Sequence, residues 1–249
     1  MSIDTLNQLF YTKRDVILDY ASQASLWPEE TTIFEKFKSY IHDKSVLDLG
    51  CGGGRTTSAL SSLTTQYIGL DYSMQMVEVC KSKYPHLMFL QGDASDMHFF
   101  EAEQFDFILF SFNGLDCMSH LKRVKTLSEV YRILKPKGVF AFSSHSRLYK
   151  GRVVFFDVTD FNPLHNIRNL LSYFKTRKYH DITNNYEILS DPLAGYGHLT
   201  YYIDKKDQVR QLEDRGFCNI DIINQKNQWI EKDLVDQESC WFHYICKKS

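Results

Sequence analysis

The chain has no excess of basic residues, no paired cysteines and no long apolar run, and each absence narrows what it can be. Its 29 Lys and Arg are outnumbered by 31 Asp and Glu, for a formal net charge of -2 over 249 residues. A protein that tracks a phosphate backbone needs a surplus of cations, so no nucleic-acid partner is expected. The six cysteines, Cys51, Cys80, Cys117, Cys218, Cys240 and Cys246, form no C-x-x-C pair and have no matching histidine spacing. They read as reduced thiols of a cytoplasmic protein, mostly small core residues. No segment approaches the roughly 18 apolar residues of a membrane span, and the first residues lack the basic start and apolar stretch of an export signal. No membrane partner is therefore expected, and the chain is read as a monomer or homodimer. Internal repeats and low-complexity tracts are also missing. With 43% apolar and 24% charged residues the composition is that of an ordinary globular protein, read as one domain over 1–249.

What is present is concentrated between Ser45 and Arg55. Val46, Leu47 and Leu49 form a short apolar run around Asp48, Gly50, Gly52 and Gly54 follow at every second position, and Thr56 to Leu63 has helical spacing. The stretch reads as strand, glycine loop and helix. Glycines there let the main chain take conformations closed to other residues and let a ligand come close. The start of the following helix presents free N–H groups to an anionic part of that ligand. A dinucleotide fingerprint would place its third glycine three positions after the second, whereas here position 55 is Arg. The loop is not of the nicotinamide or flavin type.

Two later strands end in carboxylates. Tyr67 to Asp71 is an apolar strand whose terminal acid lies some twenty residues beyond the loop, a placement that lets it accept from both hydroxyls of a ribose. Leu87 to Gln91 is followed by Gly92-Asp93-Ala94. Phe105 to Phe112 is a nearly continuous apolar run interrupted by Asp106 and Ser111, as expected of a central parallel strand. A helix over Ser119 to Leu134 stops at Lys135-Pro136-Lys137-Gly138, a turn that leads into the strand Val139 to Ser144.

The acid followed by Gly-x-Gly-x-Gly resembles the first motif of class I S-adenosylmethionine-dependent methyltransferases, and the later strand ends match that family too. The resemblance covers roughly residues 40 to 145 and 200 to 249; Lys137 stands where many members have glycine. It implies S-adenosyl-L-methionine as cofactor, with the Gly50, Gly52 and Gly54 loop along its methionine part. Asp48 would help to hold the amino group, Asp71 the ribose, with Tyr72 beside the adenine. Asp93 would meet the adenine amino group, and Ala94 a ring nitrogen through its N–H. Ser111, at the end of the fourth strand, is grouped with these contacts.

The expected fold is α/β, a Rossmann-like open, mostly parallel sheet with helices on both faces, an antiparallel C-terminal strand and an inserted cap after the fifth strand. Residues 1–42 read as a helical lid, with an amphipathic helix opening at Pro28 and with Tyr11, Tyr20 and Trp27 as aromatic candidates facing the ligand. Residues 145–200 show no βα repeat. They interleave aromatics such as Phe155, Phe161, Tyr173 and Tyr196 with arginines and histidines, and a helix is expected after Pro163. The last part reads as a helix capped by Asp204 and ended by Gly216, then strands over Cys218 to Ile223 and Trp241 to Cys246.

Methyl transfer needs alignment and exclusion of water more than dedicated groups, and a base only where the acceptor must lose a proton. His145, just past the fifth strand, is the candidate base. Asn113, Asp116, Tyr20, Tyr196 and His198 are candidates for holding the acceptor. Asp116 is the only obvious carboxylate on that side, so no metal is expected. An Asn-Pro-Pro-Tyr signature of adenine methylation is absent after the fourth strand. The reading is therefore a methyltransferase acting on O or N of a small-molecule acceptor. Two alternatives stay open: methylation of a protein or RNA, and a non-catalytic cofactor-binding protein of the same fold.

Overall fold

The computed structural model describes residues 1–153, 156–157 and 162–249. Three helices come first, α1 (Ile3–Tyr11), α2 (Arg14–Ser22) and α3 (Pro28–Ile41). Ser2 caps α1 by accepting from the Thr5 N–H, and proline opens α3, where its missing N–H leaves no bond unmade. The parallel half then alternates strands with helices: β1 (Val46–Leu49), α4 (Thr57–Ser61), β2 (Tyr67–Asp71), α5 (Met74–Lys83), β3 (Met88–Gln91), β4 (Phe105–Phe110), α6 (His120–Ile133) and β5 (Leu134–Ser146). After it come α7 (Pro163–Thr176), β6 (Asp181–Ile182), β7 (Tyr186–Ser190), β8 (Leu199–Ile203), α8 (Lys205–Glu213), β9 (Phe217–Asn224), β10 (Trp229–Ile230) and β11 (Trp241–Lys248).

The sheet runs in the order β10-β9-β11-β5-β4-β1-β2-β3. The strands from β5 to β3 are parallel, and β11 lies antiparallel between β5 and β9. This is the expected Rossmann-like sheet with its antiparallel C-terminal strand. Alternation along β4 fills both faces. Phe107 and Leu109 pack with Ile33, Phe34 and Phe37 of α3, while Ile108 and Phe110 pack with Leu127 and Val130 of α6 and Leu212 of α8. The carboxyl ends of β1, β2, β3 and β4 consequently share one edge, which is where ligands of open α/β sheets bind.

Three local readings change. The helix expected over Thr56 to Leu63 is a single turn, Thr57–Ser61, and the Thr56 hydroxyl donates to Asp48 instead of capping it. Such a short helix offers little dipole. The expected turn at Lys135 to Gly138 is looped out within β5: Phe105 pairs with Leu134 and Phe107 already with Val139. Lys137 sits there at φ +64°, the left-handed region where glycine is at ease, which accounts for glycine in the family pattern at this point. The stretch after β5 is also more regular than it reads. It contributes β6, β7 and β8 to the sheet, and β8 pairs in parallel with His145 and Ser146 beyond the end of β4. Phe155 and Phe161 lie outside the described residues. Among the described residues no helix is long and apolar enough to cross a membrane.

Candidate active site

Gly50 and Gly52 take positive φ values of 65° and 52°, which turns the chain back over the ends of β1 and β2. Gly53 is needed for a different reason: a Cβ there would lie 2.4 Å from the Tyr20 carbonyl oxygen, so α2 packs directly on the loop. Gly54 turns behind the loop toward Cys80 and Tyr84. The resulting cleft encloses about 890 Å³, its open mouth included. Gly50, Gly52, Asp71, Tyr72, Asp93, Ala94 and Ser111 line it, as does Tyr20 from α2. The wall also includes Asp4, Gln8 and Tyr11 of α1, Phe112, Cys117, Met118 and Lys122, most of which carry no local sequence signal.

The carboxylates at the strand ends differ in what they are free to do. Asp71 is 7% exposed and accepts from the N–H groups of Gly52 and Ser73, both at 2.9 Å, with no cation beside it. Burial pushes its carboxyl up to about 6, against the pull of those two N–H groups. Asp93 is more engaged: Lys122 donates to one oxygen and Ser95 to the other. Burial alone would raise it, but Lys122 and Ser95 prevail and hold it below the usual carboxylate range. Asp48 faces away from the cleft, accepting from Thr56 at 2.7 Å and Tyr67 at 2.9 Å, and burial pushes it up to about 6. Both bonds fall on Oδ2 and tie the carboxylate to Thr56 beside the loop and to Tyr67 of β2. The Tyr72 hydroxyl, buried on the cleft wall, has no hydrogen-bond partner among the described residues.

Beside the glycine loop, three residues meet that sequence spacing does not connect. Arg55 forms a bidentate pair with Glu30 of α3, Nη2 donating at 2.6 Å, and also donates to Ser111 at 3.3 Å. Ser111 donates in turn to Glu30. Burial would raise the Glu30 carboxyl, but Arg55, Ser111 and the Trp27 N–H bring it below its ordinary value. Arg55 and Ser111 line a side lobe of the cleft together with Gly50 to Gly53. The Arg at position 55, noted only as a break with the dinucleotide pattern, was the sequence signal for this group.

Beyond the end of β4 lies a buried polar network. Asp116 accepts from the His145 N–H at 2.6 Å, from His145 Nδ1 at 2.8 Å and from Ser144 at 2.7 Å. Arg123, wholly buried, donates to Asp116 at 2.6 Å, to the Leu115 carbonyl and to Gln208, and its guanidinium lies 4.4 Å from the Tyr201 ring centroid. Since Nδ1–H is given to Asp116, His145 Nε2 is an acceptor, and the Asn113 amide stands 3.3 Å from it. Asn113 holds a left-handed conformation at φ +56°, and its Oδ1 is buried without a partner. His145 and Asn113 do not line the main cleft. A row of packed rings lies between the cleft wall and His145: Phe112 stacks with Trp27, Trp27 meets Trp241, and Trp241 meets His145.

Tyr196 and His198 sit away from the cleft wall. Tyr196 is 1% exposed and packs against Tyr173 and Phe156, and its hydroxyl accepts from the Asp157 N–H. His198 is wedged against Phe10 and Tyr11, and burial takes its imidazole down to about 4. Tyr196 belongs to the packing within the insertion, and His198 to the seat of the insertion on α1.

The cleft fits S-adenosylmethionine. An uncompensated carboxylate at the end of β2 suits a diol, apolar walls from Leu49, Leu70, Met76 and Phe110 suit a purine and thioether, and the Arg55, Glu30 and Ser111 group suits an amino-acid end. Residues 46–138 match the family model of a methyltransferase domain. A phthiotriol/phenolphthiotriol dimycocerosates methyltransferase of Mycobacterium tuberculosis is 35% identical over 104 residues, 40% of this chain and 37% of that one. The chain spans 37–51% of the length of the curated relatives it matches. Among solved structures, an S-adenosylmethionine-dependent methyltransferase from Clostridium acetobutylicum aligns with TM-score 0.63 at 17% identity, covering 98% of both chains. The 1,6-didemethyltoxoflavin-N1-methyltransferase of Burkholderia thailandensis, solved with S-adenosylhomocysteine, aligns with TM-score 0.61 at 11% identity over 99% of this chain and 88% of that one. Fold and domain match agree: residues 46–138 match a methyltransferase domain, set in a sheet of the kind found in S-adenosylmethionine-dependent methyltransferases.

Proposed function

We propose that the protein transfers a methyl group from S-adenosylmethionine to an O or N atom of a small-molecule acceptor, with His145 as general base. The observation that carries this reading is the Asp116–His145 pair beyond the end of β4, beside the strand whose end closes the cofactor cleft. When bound, S-adenosylmethionine supplies an electrophilic methyl group on a sulfonium whose departure leaves a neutral thioether. The chain's own work is then alignment, exclusion of water and removal of one proton. Asp116 fixes the imidazole with Nδ1–H toward itself, so Nε2 takes the proton of an acceptor O–H or N–H. Arg123 pairs with Asp116 and holds it in place, and Asn113 can hold the acceptor heteroatom through its amide. Tyr11 and Tyr20, from the N-terminal helices, wall the cleft against solvent. A small acceptor suits a partly enclosed cleft flanked by the Phe112, Trp27 and Trp241 rings. The Burkholderia neighbour, solved with 1,6-didemethyltoxoflavin bound, supports an acceptor of that size. All six cysteines are unpaired, and we place the protein in the reducing cytoplasm.

Calorimetric titration with S-adenosylmethionine and S-adenosylhomocysteine, with NAD as control, tests the cofactor; binding of NAD alone would refute it. Once an acceptor is found, His145→Gln should lower kcat by about 10²–10⁴-fold while leaving S-adenosylhomocysteine affinity unchanged. Full turnover of that variant across pH would remove His145 from the mechanism.

A further inference from the structure

Helix α7 is built inside out. Its side facing the protein is polar or amphipathic: the Thr176 hydroxyl donates to the Tyr196 carbonyl and shares a hydrogen bond with Ser190, Tyr173 packs on Tyr196 and His180, and Asn169 lies beside Gly195. Its outer side carries Leu164, Ile167, Leu170, Leu171 and Phe174, which are 36–73% exposed. The spacing places these five on one continuous stripe. An apolar stripe of this size held in water marks a surface that meets another phase or partner.

The charges beside the stripe say which. From Asn162 to His180 there is no Asp or Glu, while Arg168, Lys175, Arg177 and Lys178 are all cationic, in a chain whose formal net charge is -2. Arg168 and Lys175 follow Leu164 and Leu171 by four residues each and so border the stripe on one flank. The Arg177 guanidinium lies 5.6 Å from the Phe174 ring centroid, at its end. A second copy of the chain would bring two cationic rims together with no acid on either helix to pair them. An anionic lipid surface satisfies both parts at once, taking the leucines and phenylalanine below the headgroups and the cations among the phosphates.

We propose that α7 is an interfacial helix that rests the protein on an anionic membrane surface. The sequence expectation of no membrane partner rested on the lack of a span, which a helix lying in the surface plane does not need. The inference does not depend on the acceptor or on His145.

Co-sedimentation of the full chain with phosphatidylcholine vesicles, with and without phosphatidylglycerol, tests it. The expected bound fraction is about tenfold higher with the anionic lipid and falls as salt is raised. Leu171→Asp with Phe174→Asp, and separately Arg168→Glu with Lys175→Glu, should reduce binding to the level of neutral vesicles. These side chains are exposed, so unchanged far-ultraviolet circular dichroism and S-adenosylhomocysteine affinity would confirm that the variants fold. Equal sedimentation with neutral and anionic vesicles, no sedimentation, or unaffected binding by the Leu171→Asp and Phe174→Asp double variant would overturn the proposal. So would sedimentation velocity showing a dimer that Leu171→Asp dissociates while vesicle binding is absent.

Discussion

The parallel half of the molecule and helix α7 sort polar from apolar in opposite directions. In β4 the alternation of Phe107 and Leu109 with Ile108 and Phe110 is spent entirely inside, and the polar groups near the strand ends are held by short hydrogen bonds. In α7 the uncharged Thr176 and Asn169 face in, while the apolar side chains face out beside the exposed Arg168 and Lys175. The first arrangement forms a cleft by leaving defined groups unmatched within a rigid frame. The second leaves a surface whose complement lies outside the chain.

The strongest way to break this contrast is to compare substitutions in the two regions. Arg123→Met leaves Asp116 as an uncompensated buried charge and should destabilise the fold by about 3–5 kcal/mol. Leu171→Ser on α7 should shift stability by no more than about 0.5 kcal/mol. Urea unfolding of both variants decides; similar losses would mean that α7 is part of the core. Next in size is Asp71→Ala, which removes the acceptor of the proposed ribose hydrogen bonds and should weaken S-adenosylhomocysteine binding by about 1.5–3 kcal/mol. Unchanged affinity in a calorimetric titration would take Asp71 out of the site.

A pH titration sharpens the same point. The Asp71 carboxyl is raised to about 6, and accepting from a diol needs its ionised form. Protonation therefore competes with the ligand below pH 6, and affinity should fall by about tenfold for each pH unit under that value, then level off above it. Asp71→Asn should flatten the dependence. Asp48, also raised to about 6, faces Thr56 and Tyr67 and should not contribute. The smallest effect concerns the looped-out residues within β5: Lys137→Gly relieves a left-handed lysine and should stabilise the protein by about 0.5–1 kcal/mol, read as a higher thermal midpoint.

Much of the cofactor half was legible because its signals are local. A strand of period two, glycines at the turn and acids at successive strand ends lie within a few residues of one another, and each restricts the backbone directly. The acceptor side was legible only in part. His145 and Asp116 could be named as candidates, yet their bond spans 29 residues of chain, and nothing near Arg123 distinguishes it from a surface arginine on α6. Tyr196 and His198 read as cleft residues because aromatic and imidazole side chains look alike in sequence whether they pack or bind. The regularity of β6 to β8 was hidden for another reason: β6 has only two residues, and β8, buried at every position, shows no alternation.

By itself, then, the sequence determined the order of strands and helices in the parallel half, the glycine loop and the carboxylate at the end of β2, because dihedral freedom and side-chain period act between near neighbours. Only the tertiary structure decided that Asp48 turns to Thr56 and Tyr67, that Arg55 meets Glu30 and Ser111, and that Arg123 joins Asp116 to Gln208. It also decided which way α7 faces. A helical stripe has the same period whether it points inward or outward, and its direction is set by what the rest of the fold leaves for it to cover.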